Sequence, residues 1–171
     1  DEQLLIKQVI DQLSLALENA RLFQETQQAL ESTRYRAEAE NLINDIATDF
    51  LNVNEPQYID EVVNRSLGKL GTFLSIDRAY IFLFDPNNET MDNTHEWRLE
   101  NVASYINDFR NVPRNSLPYM MRSLTRMEPF VVSNVFDIPD EASAERDEYL
   151  REGIQSILCA PIALKNRSVG F

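Results

Sequence analysis

Across residues 1–55 the apolar positions recur at Ile6, Val9, Leu13, Ala16 or Leu17, Ala20 and Phe23, the alternating three- and four-residue spacing of a heptad seam. No Gly or Pro interrupts this stretch. The pattern predicts one helix over residues 3–52, on the order of 75 Å long at the α-helical rise. The seam thins where Gln27, Leu30, Arg34 and Ala37 fall in line, then Leu42, Ile43, Ile46 and Phe50 resume with globular helix spacing. A rod of that length cannot bury its own seam. Ile6, Val9, Leu13, Leu17, Ala20 and Phe23 are therefore the candidate contacts of a coiled-coil homodimer, with packing of the helix on its own domain as the alternative.

A second amphipathic stripe, Ile59, Val62, Val63, Leu67, Leu70, Phe73 and Leu74, follows Asn54 as N-cap and Pro56 in the first turn, and it stops near Ser75. The period then changes from 3.6 to 2. From Arg78 to Phe84, Ala79, Ile81 and Leu83 point one way and Tyr80, Phe82 and Phe84 the other; both sets are apolar, so this is a central strand covered on both faces. Asp85 to Glu89 is a polar turn, and a second strand ends at Trp97, which completes an antiparallel hairpin. Beyond it, Tyr105, Ile106 and Phe109 mark a short helix or half-ordered lid. Ser116 caps a helix carrying Pro118, Met120, Met121, Leu124 and Met127. Phe130 to Val132 is a short strand, Asp140 caps an acidic helix ending before Gly153, and Ile154 to Leu164 and Val169 onward are further strands. Helices, a hairpin, inserted helices and more strands predict an α+β fold with a central antiparallel sheet.

The chain has 171 residues, 43% of them hydrophobic, enough for one ordinary core. A net charge of -12 counts against nucleic acid and anionic membranes as partners. The acidic run from Asp137 to Glu152 reads as solvated helix faces. Cys159 is the single cysteine, so no internal disulfide forms, and a cytoplasmic, reducing setting fits. No apolar run reaches membrane-spanning length. The chain opens inside a helical pattern without Met and closes on a fresh strand, as a fragment of a longer protein does.

Candidate chemistry is sparse. Asp85, Asn87, Glu89 and Glu96 fall at positions 1, 3, 5 and 12 of a calcium loop, but Thr90 stands where that loop needs Gly and the flanks are strands. His95-Glu96 lies on a strand, which disfavours phosphotransfer and leaves haem ligation as a minor alternative. Cys159 sits in an apolar strand with no adjacent cation to lower its pKa. One His and one Cys cannot build a structural zinc site, so no metal is expected. The four glycines form no phosphate loop, and no nucleophile elbow is present. The chain is expected not to be an enzyme.

Taken in order, Ile76 to Asp85, Asn93-Thr-His-Glu-Trp97, Glu128 to Val132 before Asp137-Ile-Pro139, and Gly153 to Ile162 resemble GAF domains, the small-molecule-sensing modules of bacterial multidomain sensors. Leu4 to Gln27 resembles the last helix of a preceding domain of that kind. The resemblance implies residues 1–38 as a signalling-helix linker and residues 39–171 as a GAF domain with helices on both sides of its sheet. That domain's C-terminal strand and helix would lie beyond Phe171. It also implies a ligand pocket drawn from Tyr80, Phe82, Phe84, His95, Trp97, Tyr105, Phe109, Tyr119 and Met120, and an output domain in the same polypeptide, as in histidine kinases and phosphorelays. Bilin-binding members attach pigment through a Cys near the inserted helix, and Tyr105 to Met127 contains none; members that reduce methionine sulfoxide need several cysteines. The cofactor is left unknown. The expected function is a dimerising sensory module for an unidentified small molecule; the alternative is a ligand-free dimerisation relay whose pocket is filled by its own aromatics.

Overall fold

A computed structural model of the protein describes residues 2–165 and 167–171. They form two compact units, one ending at Asn54 and the other Glu55–Phe171.

The first unit is a single helix, α1 (Glu2–Leu51). Lacking Gly and Pro, it runs unbroken through the domain boundary expected at residue 38. Its surface is laced by Arg21–Glu25 and Arg34–Glu38 pairs, each 2.7 Å and four residues apart. The seam residues are exposed along the single chain: Leu13 is 58% and Phe23 67% accessible. No described helix is long and apolar enough to cross a membrane.

The second unit is built on a five-stranded antiparallel sheet. The strands are β1 (Arg78–Phe84), β2 (Thr90–Arg98), β3 (Val112–Pro113), β6 (Ile162–Leu164) and β7 (Arg167–Gly170), in spatial order β3-β2-β1-β7-β6. β1 is central, as its two apolar faces require. β4 (Phe130–Val132) and β5 (Ile157–Cys159) form a separate two-stranded ribbon. Ala160-Pro161 divides the last apolar run into β5 and β6, where a continuous strand was expected.

On one face lies α2 (Ile59–Leu74). Gly68 and Gly71 leave a notch on it for the Trp97 indole; a Cβ on Gly71 would come within 2.0 Å of that ring. The other face carries α3 (Pro118–Thr125) and α4 (Ser143–Arg151), which close the core around Met91, Met120, Leu124, Val135 and Tyr149. Helices thus cover both sides of the sheet.

The helix starts differ from the expected ones. Asn54, Ser116 and Asp140 cap nothing as N-caps; each helix is entered through a 3-10 turn or its end, at Pro56–Tyr58, Arg114–Ser116 and Asp140–Ala142. α2 does stop at Ser75, which takes a left-handed φ of 54°. Tyr105 to Phe109 is one hydrogen-bonded turn, not a helix, with Phe109 N donating to Tyr105 O at 3.2 Å. In the hairpin turn the Asp85 carboxylate accepts from the amides of Asn87, Glu89 and Thr90 at 2.9, 2.6 and 2.7 Å. These bonds, that from Thr90 foremost, hold its pKa below the ordinary value. The Asp85 oxygens that would have ligated calcium instead fasten the turn.

Candidate functional site

Alternation along β1 sends Tyr80, Phe82 and Phe84 toward α3 and α4. Between this face and the two helices is a cavity of about 260 Å³. The sheet and its end contribute Tyr80, Phe82, Met91, Val112 and Phe171; the loop and 3-10 turn before α3 contribute Asp108, Phe109, Ser116 and Leu117. α3 gives Met120, and α4 with its C-terminal turn gives Ala144, Glu148, Tyr149, Arg151 and Glu152. Ile157 and Cys159 close it from β5.

The polar groups are disposed unevenly. Glu152 Oε2 accepts from the Arg78 guanidinium at 3.1 Å, and the Glu152 side chain is only 6% exposed. Burial, reinforced by Glu148 and opposed by Arg78, raises its pKa from an ordinary 4.5 to about 7. Arg78 is in turn stacked under Tyr105, 4.8 Å from the ring centre. Arg151 is tied to Glu148 and lies 5.6 Å over the Phe109 ring. Tyr149 donates to Met120 Sδ at 3.3 Å. Burial raises the pKa of Tyr80 and Tyr149 and pushes the Cys159 thiol up to about 12. Cys159 is therefore a neutral, weakly nucleophilic wall of the cavity.

The cavity's helical side is fixed by an acid inside the core. Glu145, fully buried on the first turn of α4, accepts at Oε1 from the amides of Tyr119 and Met120 at 2.6 and 3.1 Å, and so caps α3 from outside its own sequence. Its Oε2 has no partner among the described residues. The acidic run is thus not uniformly solvated: Glu145 and Glu152 point inward.

Of the nine pocket residues expected, Tyr80, Phe82, Phe109 and Met120 line the cavity. Phe84, Tyr105 and Tyr119 lie outside the lining; Phe84 faces a second depression of about 660 Å³. There Arg114 stacks on the Phe84 ring at 4.0 Å and donates to Asn88 O at 3.2 Å, while Asp85 is taken up by its turn. Tyr119 packs edge-on against Phe130. His95 and Trp97 stand on the opposite face, because antiparallel partners share a face and the register pairs Ile81 with His95 and Ala79 with Trp97. His95 Nδ1 lies 2.9 Å from Thr94 Oγ1 and Nε2 3.2 Å from Asp60 Oδ1, so both ring nitrogens are engaged on the α2 side, away from the cavity. That geometry does not offer haem a ligand in this pocket. Sequence reasoning missed Phe171, Tyr149, Glu152 and Cys159. Only the apolar context of Cys159 signalled burial, and nothing local marked Glu152.

Comparison with known proteins agrees with this architecture. The crystal structures of phycoerythrobilin- and phycocyanobilin-bound GAF domains from a cyanobacterial phytochrome superpose with TM-scores of 0.62 and 0.63 at 17% and 18% identity. They cover 77% of this chain in each case, and 77% and 75% of the respective structures. The methanogenesis regulatory histidine kinase FilI of Methanothrix harundinacea (strain 6Ac) is 35% identical over 125 residues, 66% of this chain but only 13% of that kinase. The family model of the GAF domain matches residues 59–171, and the chain accordingly belongs to the GAF domain family.

Proposed function

We propose that the chain is a non-catalytic sensory module whose domain binds a small organic molecule between β1 and the α3–α4 layer and whose α1 helix pairs with that of a second copy. The observation that carries the ligand half is the aromatic-walled cavity of about 260 Å³ on the inner face of the sheet. The exposed seam of α1 supports the dimeric half, since contiguous apolar residues in water favour association. The relation to a histidine kinase supports a regulatory setting in a larger protein, with an output domain elsewhere in the polypeptide.

The bilins named for the structural neighbours do not fit these residues. The cavity is smaller than the ~300–1,000 Å³ typical of pockets for drug-sized ligands. Its one thiol is held protonated, and its one lining guanidinium is already paired with Glu148. The competing reading, a ligand-free relay, draws on the Phe82–Phe171 ring stack, which fills one end of the space. An NMR screen of the labelled domain against a library of small aromatics separates the two. Shifts clustered on Tyr80, Met120 and Cys159 support a sensor, and an unresponsive spectrum supports the relay.

A further inference from the structure

Resting on the reading of this cavity as a ligand site, we infer that its ligand is a small organic cation, an aromatic or aliphatic amine no larger than a bicyclic ring with a short side chain, whose nitrogen meets Glu152. Two observations point there independently. First, the wall includes five rings, those of Tyr80, Phe82, Phe109, Tyr149 and Phe171, whose π-electrons favour a cation over an anion. Second, the charged lining is lopsided: Asp108, Glu148 and Glu152 against Arg151. Arg151 is spent on Glu148. Glu152 is more than nine-tenths buried and uses Oε2 for Arg78, while Oε1 has no hydrogen-bond partner among the described residues. An ammonium donor entering the cavity would give that oxygen a charge-assisted hydrogen bond. Tyr80 also lines the cavity, and its hydroxyl, in no hydrogen bond among the described residues, can accept a second N–H. An anionic ligand meets the opposite situation. It brings like charge toward Asp108, Glu148 and Glu152, and the one guanidinium that lines the cavity, Arg151, is already paired with Glu148, which disfavours carboxylates, phosphates and nitrate. The volume sets the upper size limit.

The test uses three near-isosteric probes on the full chain at about pH 8, above the Glu152 pKa of about 7: tryptamine as the cation, tryptophol as its neutral counterpart and indole-3-acetate as the anion. Calorimetry should show tryptamine binding at least about tenfold more tightly than tryptophol, a difference expected of one charge-assisted hydrogen bond, with no detectable binding of indole-3-acetate. Glu152→Gln should remove most of the tryptamine preference and leave tryptophol within about twofold. Met120→Trp, which fills the cavity, should abolish binding of both and shows where they bind even if the Glu152 variant folds poorly. Equal or tighter binding of tryptophol or indole-3-acetate overturns the cation assignment and leaves the sensor reading standing. So does tryptamine binding that survives Met120→Trp. Failure of all three probes to perturb the spectrum at about 5 mM overturns the cavity reading and the cation assignment together.

Discussion

Phe82 and Phe171 are joined twice: their backbones exchange both N–H···O bonds at 2.9 Å, and their rings stack in parallel with centres 5.0 Å apart. The central strand of the sheet and the end of β7 thus meet at one aromatic pair, and that pair forms a wall of the cavity. Phe82 also touches Tyr80 and Phe109, at 5.5 and 5.8 Å between centres. Phe82→Ala is expected to cost about 3 kcal/mol, near the lower end for a buried phenylalanine, because one side of the ring already borders empty space. Denaturant unfolding against Leu124→Ala, a fully buried control on α3, measures it. A loss below about 1 kcal/mol at Phe82 contradicts its place in the core.

The Gly71–Trp97 contact makes a second prediction. A methyl group at Gly71 would collide with the six-membered ring of the indole, at 2.0 to 2.6 Å, whereas at Gly68 the nearest approach is 3.1 Å. Gly71→Ala should destabilise the domain by about 2 kcal/mol, overpacking outweighing the helix-propensity gain of about 1 kcal/mol, and Gly68→Ala should be nearly neutral. In the background of Trp97→Leu the Gly71→Ala penalty should shrink, which a double-mutant cycle reads directly.

Glu145 tests the helix cap. Glu145→Ala leaves two buried amides, of Tyr119 and Met120, without an acceptor and opens space beneath α3. The expected loss is about 3 kcal/mol. Glu145→Gln retains a carbonyl acceptor at the same place and should lose about 1 kcal/mol. Matching losses for the two variants, measured by urea unfolding, would show that the carboxylate does not cap α3.

Much of the architecture was legible because it rests on period. The heptad seam free of Gly and Pro pointed to α1, the 3.6 repeat to α2, and the double apolar alternation to the central place of β1. What escaped depended on partners distant in sequence. Glu145 and Glu152 sit in a run of acids indistinguishable locally from a solvated face; only amides 25 and 26 residues away and a guanidinium 74 residues away make their burial tolerable. The misplacement of His95 and Trp97 has another cause. Their residue types suit a pocket, but a strand's face is fixed by its partner's register, and the register shift between Ile81 and Phe82 changes the phase midway along the hairpin. The helix starts failed because 3-10 turns, which lack a capping signature in the sequence, lead into α2, α3 and α4.

Glu152 sets a pH dependence. Its folded pKa of about 7 exceeds the ordinary 4.5, so the folded state holds the proton more tightly than the unfolded chain. The stabilising contribution is fully present below about pH 4.5 and is lost as pH rises through about 7. The groups facing it are Glu148 and Glu96, which reinforce the shift, and Arg78 and Arg151, which oppose it. Melting temperatures between pH 5.5 and 8 should fall with a slope that Glu152→Gln removes. An unchanged slope in the variant assigns the dependence to another group.

The last expectation concerns α1, a 50-residue helix whose Ile6, Val9, Leu13, Leu17 and Phe23 are all more than half exposed along the single chain. Burying such a seam against a second copy removes several large apolar side chains from water, each worth roughly 1.5–3 kcal/mol when fully covered. Even a few of them, half covered, compete with the ~4–15 kcal/mol of rigid-body freedom lost on association. The full chain should therefore sediment as a dimer at tens of micromolar. A chain beginning at Glu55, which retains the compact second unit, should be monomeric. Leu13→Glu with Leu17→Glu puts charge into the seam without touching the domain and should dissociate the full chain while leaving the melting of the domain unchanged. If the shortened chain dimerises as well as the full one, association resides in the domain and α1 is not what holds the copies together.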